Sequence, residues 1–263
     1  MTDYVGTESV IAVQKALRAR SAEFERQPLL SNGGRVLNVL DADAYGWDRV
    51  RAEAQTYGIV GLTKVARDAT FARLAREFGT GLDCPHWDIF TGTADTVSAM
   101  CRAVVSSYDL PGGWRLIHET MPDDRLITAT QRVNLAAGVM PPPAYFLRSD
   151  YKPSMLTALT DETGAVVACA SGNMRYHPEG PMAGGLFAGG VSVAEAHRRK
   201  GLGRLVNAAL LLESQKALGW THVLEQARAT NLASVGMIER CGLTHQPGKA
   251  TIQVSLRAGF DTR

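Results

Sequence analysis

The sequence predicts an α/β protein, and three observations carry that prediction. Strand-like and helix-like segments alternate through the first hundred residues, as in folds that layer helices on a sheet. Beyond a turn-rich break at residues 108–113, two apolar runs flank Asp161-Glu162-Thr163-Gly164, which indicates a hairpin. The 263 residues are 45% hydrophobic and 21% charged, a balance typical of a globular protein with room for one large domain or two small ones.

The N-terminal region, residues 1–110, is predicted to alternate four helices with three strands. Helical spacing of apolar residues extends over 8–26, 44–57, 70–78 and 94–105. Strand-like runs lie between these helices at 35–40, 59–65 and 86–90. No motif in this region assigns a chemical role to it, and its function is left open.

The C-terminal region, residues 111–263, has a different order of elements. A strand at 115–120 precedes a helix at 124–137, which the prolines at 141–143 prevent from continuing. Extended segments follow at 155–160, 165–176 and 186–193, and the last of them runs into a basic loop that contains glycine. We therefore treat residues 1–110 and 111–263 as two predicted domains.

Charge, cysteine content and hydropathy exclude several function classes. Lys plus Arg number 28 and Asp plus Glu 26, so the net charge of +2 gives no bulk attraction to nucleic acid or an anionic membrane. The four cysteines form no C-x-x-C pair, which argues against a zinc site and fits a reducing compartment. No apolar run approaches the ~20 residues that cross a bilayer, and the N-terminus lacks a secretory pattern. We expect a cytoplasmic protein without a metal.

The segment 191–204 is the most informative part of the sequence. It predicts a strand, then a basic loop, then an amphipathic helix. The first amides of a helix lack partners and carry the positive end of its dipole, and Gly201 and Gly203 let backbone approach an anion closely. Four side chains add positive charge: Arg198, Arg199, Lys200 and Arg204. This pattern predicts a phosphate-binding turn; a solvated basic loop with two turn glycines is the plainer alternative.

The spacing of this turn distinguishes among phosphate motifs. It contains no Walker A run, and Val206 stands where the dinucleotide fingerprint needs its third glycine. The pattern Arg198-x-x-Gly201-x-Gly203 instead resembles the pyrophosphate-binding motif of the GNAT superfamily of acyl-CoA-dependent N-acetyltransferases. A second segment agrees, since Asn231, Ser234 and Gly242 stand at the spacing of the helix that flanks the cofactor in that family. Asn231 also suits a helix N-cap, with or without a cofactor contact.

The resemblance covers about residues 115–256 and implies a mixed, mostly antiparallel central sheet flanked by helices, ending in two strands. The N-terminal region would then be compatible with a degenerate second copy of the same fold. The resemblance also implies that acetyl-CoA is the acyl donor and an amine the acceptor, and it leaves a homodimer open. The residues that would hold acetyl-CoA are Val191, Ser192, Val193, Arg198, Arg199, Lys200, Gly201, Leu202, Gly203, Arg204, Asn231 and Ser234.

The mechanism that the resemblance implies is direct attack of a primary amine on the thioester in a ternary complex. A free alkylamine is mostly protonated at neutral pH, so a general base is needed. Glu225 is the candidate, with a solvent-facing strand carboxylate as the alternative; His222 and His245 are further options. Ile238 stands where the family often has a tyrosine acid, and Cys241, one turn on, is interpreted as a small buried hydrophobe.

Two other function classes stay open on the sequence. A non-catalytic acyl-CoA-binding regulatory module is favoured by Ile238 and by the unassigned N-terminal region. A serine hydrolase is suggested by Gly190-Val191-Ser192-Val193-Ala194 with Glu225 and His245, although no helix follows the serine directly. The acceptor is expected against residues 124–152, where the candidate contacts are Tyr145, Phe146, Arg148, Asp150 and Tyr151.

Overall fold

A computed structural model describes residues 3–256 and folds them around one mixed sheet. Its strands are β1 Leu30–Asn32, β2 Leu37–Val39, β3 Ile59–Ala66, β4 His86–Thr93, β5 Arg115–Glu119, β6 Ser154–Thr160, β7 Val166–Asn173, β8 Gly185–Val193, β9 His222–Ala227 and β10 Thr244–Ser255. Its helices are α1 Glu8–Ala19, α2 Ser21–Phe24, α3 Ala42–Tyr45, α4 Trp47–Tyr57, α5 Arg67–Phe78, α6 Ala94–Ser106, α7 Asp124–Ala136, α8 Ala144–Leu147, α9 Leu202–Leu218 and α10 Leu232–Arg240.

The order of strands across the sheet shows that the chain contains two copies of one arrangement. The order is β1-β2-β3-β10-β4-β9-β8-β7-β6-β5. Outward from the antiparallel β10–β4 pair, each side continues with an antiparallel pair, a parallel pair and another antiparallel pair. The N-terminal region stops there, whereas the C-terminal region adds β6 and β5. The N-terminal region is therefore a degenerate second copy, as predicted.

The two copies exchange strands at the centre of the sheet. β10 lies between β3 and β4, and β4 lies between β10 and β9, so each region places its last strand among the strands of the other. The hydrophobic cores follow the same exchange. Ala250, Ile252 and Val254 of β10 pack in the N-terminal core, while Val97 and Cys101 of α6 pack against α9 in the C-terminal core.

Most of the predicted elements are confirmed, and the exceptions have local causes. The predicted helix 44–57 is divided into α3 and α4 at Gly46, which has φ +98°. The two final strands expected after α10 are a single strand, β10, in which Pro247 and Gly248 coincide with a register shift against β4. The structure also adds β1, a three-residue strand that the sequence analysis did not predict.

Within residues 3–256 no helix combines the length and the apolar character that spanning a bilayer requires. Helix ends follow the expected capping chemistry. The Asp123 side chain accepts from the Leu126 amide at 2.7 Å, and the Asn231 side chain accepts from the Ser234 amide at 3.1 Å. Gly242, just past α10, adopts φ +88°, the left-handed conformation that glycine allows.

Candidate functional site

The parallel strands β8 and β9 pair at one end and separate at the other. Register pairs join Gly185–Phe187 to His222–Leu224 and then stop, although both strands continue. β8 stays paired with β7 up to Val193, through a register shift near Gly190, which has φ +64°. The extra residue in β8 lies just beyond the point where its pairing with β9 stops, and such a bulge locally bends a strand. A cleft of about 1660 Å³ lies along the separation and extends to residues of the N-terminal copy.

The loop between β8 and α9 gathers unpaired backbone amides. Arg199 and Gly201 both have positive φ, at 61° and 77°. The first amide of α9 that finds a backbone acceptor is that of Leu205, which donates to the Gly201 carbonyl at 3.1 Å. The amides of residues 199–204 find no acceptor within residues 3–256. An anion is the natural partner for such a group of amides at a helix start.

Tyr108, in the segment between α6 and β5, forms hydrogen bonds to this loop and to the first turn of α9. Its hydroxyl donates to the Gly201 carbonyl at 2.8 Å and accepts from Arg204 Nε and Nη2 at 3.2 and 3.1 Å. A Cβ on Gly201 would lie 2.2 Å from the Tyr108 Oη, so any larger residue would have to displace the tyrosine, and the positive φ of Gly201 also favours glycine. Sequence reasoning missed Tyr108, because no local pattern ties a residue 93 positions upstream to the loop.

The other predicted donor-site residues divide between the cleft and its surroundings. Val191, Asn231 and Ser234 line the cleft. A Cβ on Gly203 would lie 3.7 Å from Val191 Cγ1 and 3.8 Å from Met237 Sδ, so the start of α9 faces the same space. Ser192 instead is buried and accepts from Asn134 Nδ2 at 2.8 Å. Arg198 Nε donates back to the Val193 carbonyl at 3.3 Å.

Glu225 is a buried carboxylic acid at the cleft. It lies on β9, is 2% exposed, and accepts from Asn207 Nδ2 of α9 at 2.9 Å. Burial raises the pKa of Glu225 to about 7, and the Asn207 hydrogen bond only partly opposes that rise. The solvent-facing alternative is therefore wrong. Asn207 was missed because it is one of many residues on a buried helix.

The remaining titratable candidates lie away from the cleft lining. His222 pairs with Gly185 at the closed end of the β8–β9 pair, where burial lowers its pKa. His245 is 41% exposed in its side chain and lies 3.9 Å from the Asp88 carboxylate. Cys241 is fully buried, as predicted, and its carbonyl accepts from Cys101. In the part of the chain that is described, Ser192 makes no contact with Glu225 or His245, so no hydrolase triad is assembled.

The expected acceptor residues are placed differently from the prediction. Of the five, only Phe146 lines the cleft. Tyr145 is fully buried and accepts from Asn32 Nδ2 at 3.3 Å, while Arg148 forms ion pairs with Asp3, Asp124 and Asp150. Two arginines that the sequence analysis did not single out, Arg35 and Arg175, line the cleft instead. Among residues 3–256 no group of His, Cys, Asp and Glu could hold a metal ion.

The open parallel pair and the amide-rich start of α9 are features of a GNAT-like fold. Residues 126–243 match the model of the acetyltransferase (GNAT) family, so the chain contains a domain of that family. No curated protein matches the chain.

Solved structures with this fold extend over both copies. A GCN5-related N-acetyltransferase from Kribbella flavida superposes with a TM-score of 0.60 at 12% identity, covering 94% of this chain and 96% of that one. A tandem GNAT protein from the clavulanic acid biosynthesis pathway gives 0.55 at 15%, covering 99% and 98%. A GCN5-related N-acetyltransferase from Sphaerobacter thermophilus gives 0.53 at 15%, covering 86% and 74%. At these identities the likeness concerns the fold.

Proposed function

We propose that the protein is an N-acetyltransferase that moves an acetyl group from acetyl-CoA to the primary amine of a small molecule. The observation that carries this proposal is the set of unpaired amides at residues 199–204, next to strands that separate. These amides and the nearby cations of Arg198, Arg199, Lys200 and Arg204 suit a diphosphate. The edge of β8 that β9 leaves unpaired, up to Val193, suits the amides of an extended arm.

Glu225 would act as the general base. The acceptor must lose a proton to become nucleophilic, and a base whose pKa lies near the working pH does this best. The pKa of about 7 meets that condition. The Glu225 carboxylate is buried and is held by Asn207 from α9. We therefore infer that the proton of the acceptor amine reaches the carboxylate through a water molecule.

In GNAT proteins a tyrosine on the helix equivalent to α10 often protonates the departing CoA thiolate. Here Ile238 takes that position and cannot donate a proton. Ile238 is buried there and lines the cleft. A thiol has a pKa of about 8.5, so a thiolate can leave at neutral pH and take its proton from solvent. The same residue favours a second candidate, a non-catalytic acyl-CoA-binding regulatory module. The cysteine pattern also leads us to propose a cytoplasmic location.

Thiol release separates the two candidates. Purified protein with acetyl-CoA and a panel of small primary amines should release free CoA thiol, and isothermal titration should show acetyl-CoA binding. Gly203→Trp would fill the space beside Val191, and Arg198→Glu would place negative charge at the loop. Both variants should lose acetyl-CoA binding while unfolding cooperatively. Unchanged affinity would refute the assigned loop, and binding without release from any amine would favour the regulatory module.

A further inference from the structure

Two arginines from opposite halves of the sequence meet in the cleft. Arg35 lies in the turn between β1 and β2, and Arg175 follows β7. Both line the cleft, and neither lies within ion-pair distance of a carboxylate in residues 3–256. Their positive charges interact: burial, and then the charge of Arg175, lower the pKa of Arg35 to about 10. The cleft thus holds two arginine side chains that no carboxylate of residues 3–256 pairs, although Asp83 and Glu225 line the same cleft further away than an ion pair.

Arg175 is buried, and its side chain forms no hydrogen bond within residues 3–256. Arg175 is 8% exposed, and its Nε has no hydrogen-bond partner among residues 3–256. The guanidinium carbon lies 3.4 Å from the centre of the Phe187 ring, which holds the group in a fixed plane. A buried N–H donor without an acceptor is costly, so a ligand oxygen that accepts from Arg175 Nε would offset its desolvation.

Two other polar groups that line the cleft also lack partners. Thr251 Oγ1 of β10 and Asn173 Oδ1 of β7 are buried, line the same cleft and have no hydrogen-bond partner in residues 3–256. Arg35 is anchored by a hydrogen bond from Nη1 to the Met140 carbonyl at 3.2 Å. The Thr251 hydroxyl can donate to an anion from β10, which is paired on both sides, whereas Asn173 Oδ1 is an acceptor.

The position of these groups separates them from the diphosphate site. Phe187 forms the last register pair with β9, so Arg175 lies where the two strands begin to part. The unpaired amides begin beyond Val193, six residues further along β8, which corresponds to about 20 Å of strand. An anion at Arg175 therefore belongs to a second ligand and not to the phosphates of the donor.

We propose that Arg175 and Arg35 bind a negatively charged oxygen group, a carboxylate or a phosphate, on the amine that accepts the acetyl group. Because a guanidinium group binds a carboxylate or a phosphate through two parallel hydrogen bonds, the two arginines select such acceptors over neutral amines. This inference rests on the proposed transferase for the identity of the ligand. The anion site itself makes a separate claim that binding alone can test.

Matched pairs of ligands test the site. Each pair shares an amine and differs in its acid: 4-aminobutanoate with butylamine, β-alanine with propylamine, and phosphoethanolamine with ethanolamine. Thermal shift with CoA present measures binding, and thiol release from acetyl-CoA measures transfer. In wild-type protein the acidic member of at least one pair should bind more tightly by about 10-fold or more, because hydrogen bonds to charged groups are worth about 1.5–3 kcal/mol.

Substitutions of the two arginines test whether they cause the preference for the acidic ligand of each pair. Arg175→Gln and Arg35→Gln should each raise KM for the acidic acceptor by about 10- to 100-fold, with little change for its neutral partner. Arg175→Lys keeps the charge and should restore part of the preference. Arg132→Gln, at an exposed position on α7, is the matched control and should change nothing. All four should bind acetyl-CoA like wild type, which also shows that they are folded.

The outcomes separate this inference from the proposed function. Thiol release that is equal for acidic and neutral partners, and equal in Arg175→Gln and Arg132→Gln, would overturn the anion site and leave the transferase standing. Stabilisation by the acidic ligands that Arg175→Gln abolishes, without any thiol release, would support the anion site and overturn the transferase. If wild-type protein binds acetyl-CoA but shows neither stabilisation by the acidic ligands nor thiol release, both the anion site and the transferase are overturned.

Discussion

Glu225 shows how burial sets the chemistry of a single residue. Its carboxylate has one hydrogen-bond donor, Asn207 Nδ2, and sits among apolar side chains of β9 and α9. Desolvation penalises the ionised form more than that one hydrogen bond favours it, which accounts for the direction of its pKa shift. The result is a carboxylic acid that exchanges its proton near neutral pH, where a structural surface carboxylate would stay ionised.

Replacing Glu225 by glutamine should remove the pH dependence of transfer. With an acceptor amine whose own pKa lies well below 7, the kcat of wild type should rise with pH to a midpoint near 7 and then level off, because only the ionised carboxylate accepts a proton. Glu225→Gln should lower kcat by about 10²- to 10⁴-fold and lose that midpoint. A pH–rate profile of both proteins measures this. A variant that keeps the midpoint would assign the base elsewhere.

The same substitution should change stability in a pH-dependent way. The pKa of Glu225 is raised in the folded state, so the native protein is stabilised while the carboxyl is protonated and loses stability as pH rises from about 4.5 to 7. Glutamine keeps the oxygen that Asn207 binds and carries no charge. Urea unfolding should therefore show Glu225→Gln gaining about 3 kcal/mol on wild type between pH 5 and pH 8. A constant difference across that range would contradict the buried carboxylate.

Residues differ in how well the sequence reveals them. Glu225 could be singled out as a carboxylate on a strand near the motif, but its burial depends on α9 and β4, which no local pattern places beside it. Arg35 and Arg175 were missed because each is an isolated arginine near a turn. Their shared role arises only when residues far apart in the chain line one cleft.

At the scale of elements, the turn that opens α9 could be predicted because its determinants are local. Two glycines at fixed spacing and a following apolar face specify the start of the helix, and the left-handed φ of Gly201 agrees with that prediction. Arg199 shares the left-handed conformation, which a basic residue adopts less readily. Contacts from elsewhere must therefore hold the loop, and Tyr108 supplies one of them.

Removing the Tyr108 hydroxyl should loosen the loop and weaken acetyl-CoA binding. Tyr108→Phe loses the hydrogen bond to the Gly201 carbonyl and the acceptor for Arg204, and we expect the Kd for acetyl-CoA to rise by about 3- to 10-fold. Gly201→Ala should cost more, since it adds a clash with the hydroxyl to a strained φ. Isothermal titration of the two variants and the double variant measures both effects.

The double variant is the control for this contact. Without the hydroxyl, the nearest atom to the added methyl is a ring carbon at 3.1 Å, so Gly201→Ala should be less damaging in the Tyr108→Phe background. The strain of the left-handed backbone persists in both backgrounds and does not affect the comparison. Equal costs in the two backgrounds would show that the hydroxyl does not pack on Gly201.

For the whole molecule, the strands themselves were predictable and their partners were not. Apolar, strand-like runs located β3, β4 and β8 along the chain. Nothing in those patterns shows that β10 inserts between β3 and β4, because each of these pairings joins residues more than 150 positions apart. The domain boundary at residues 108–113 stays a prediction. The exchange of β4 and β10 makes the sheet of each region depend on a strand from the other region.

Fragment complementation tests that dependence. Residues 111–263 alone would leave β9 as an exposed edge and β10 without both neighbours, so we expect this fragment to aggregate or to bind a hydrophobic dye. Co-expression with residues 1–110 should give a soluble one-to-one complex that binds acetyl-CoA. Phe90→Asp in β4, which places a charge beside Glu225 and His245, should prevent assembly, whereas Arg102→Glu on the exposed face of α6 should not. A fragment 111–263 that unfolds cooperatively as a monomer and binds acetyl-CoA would show that the exchanged strands are dispensable.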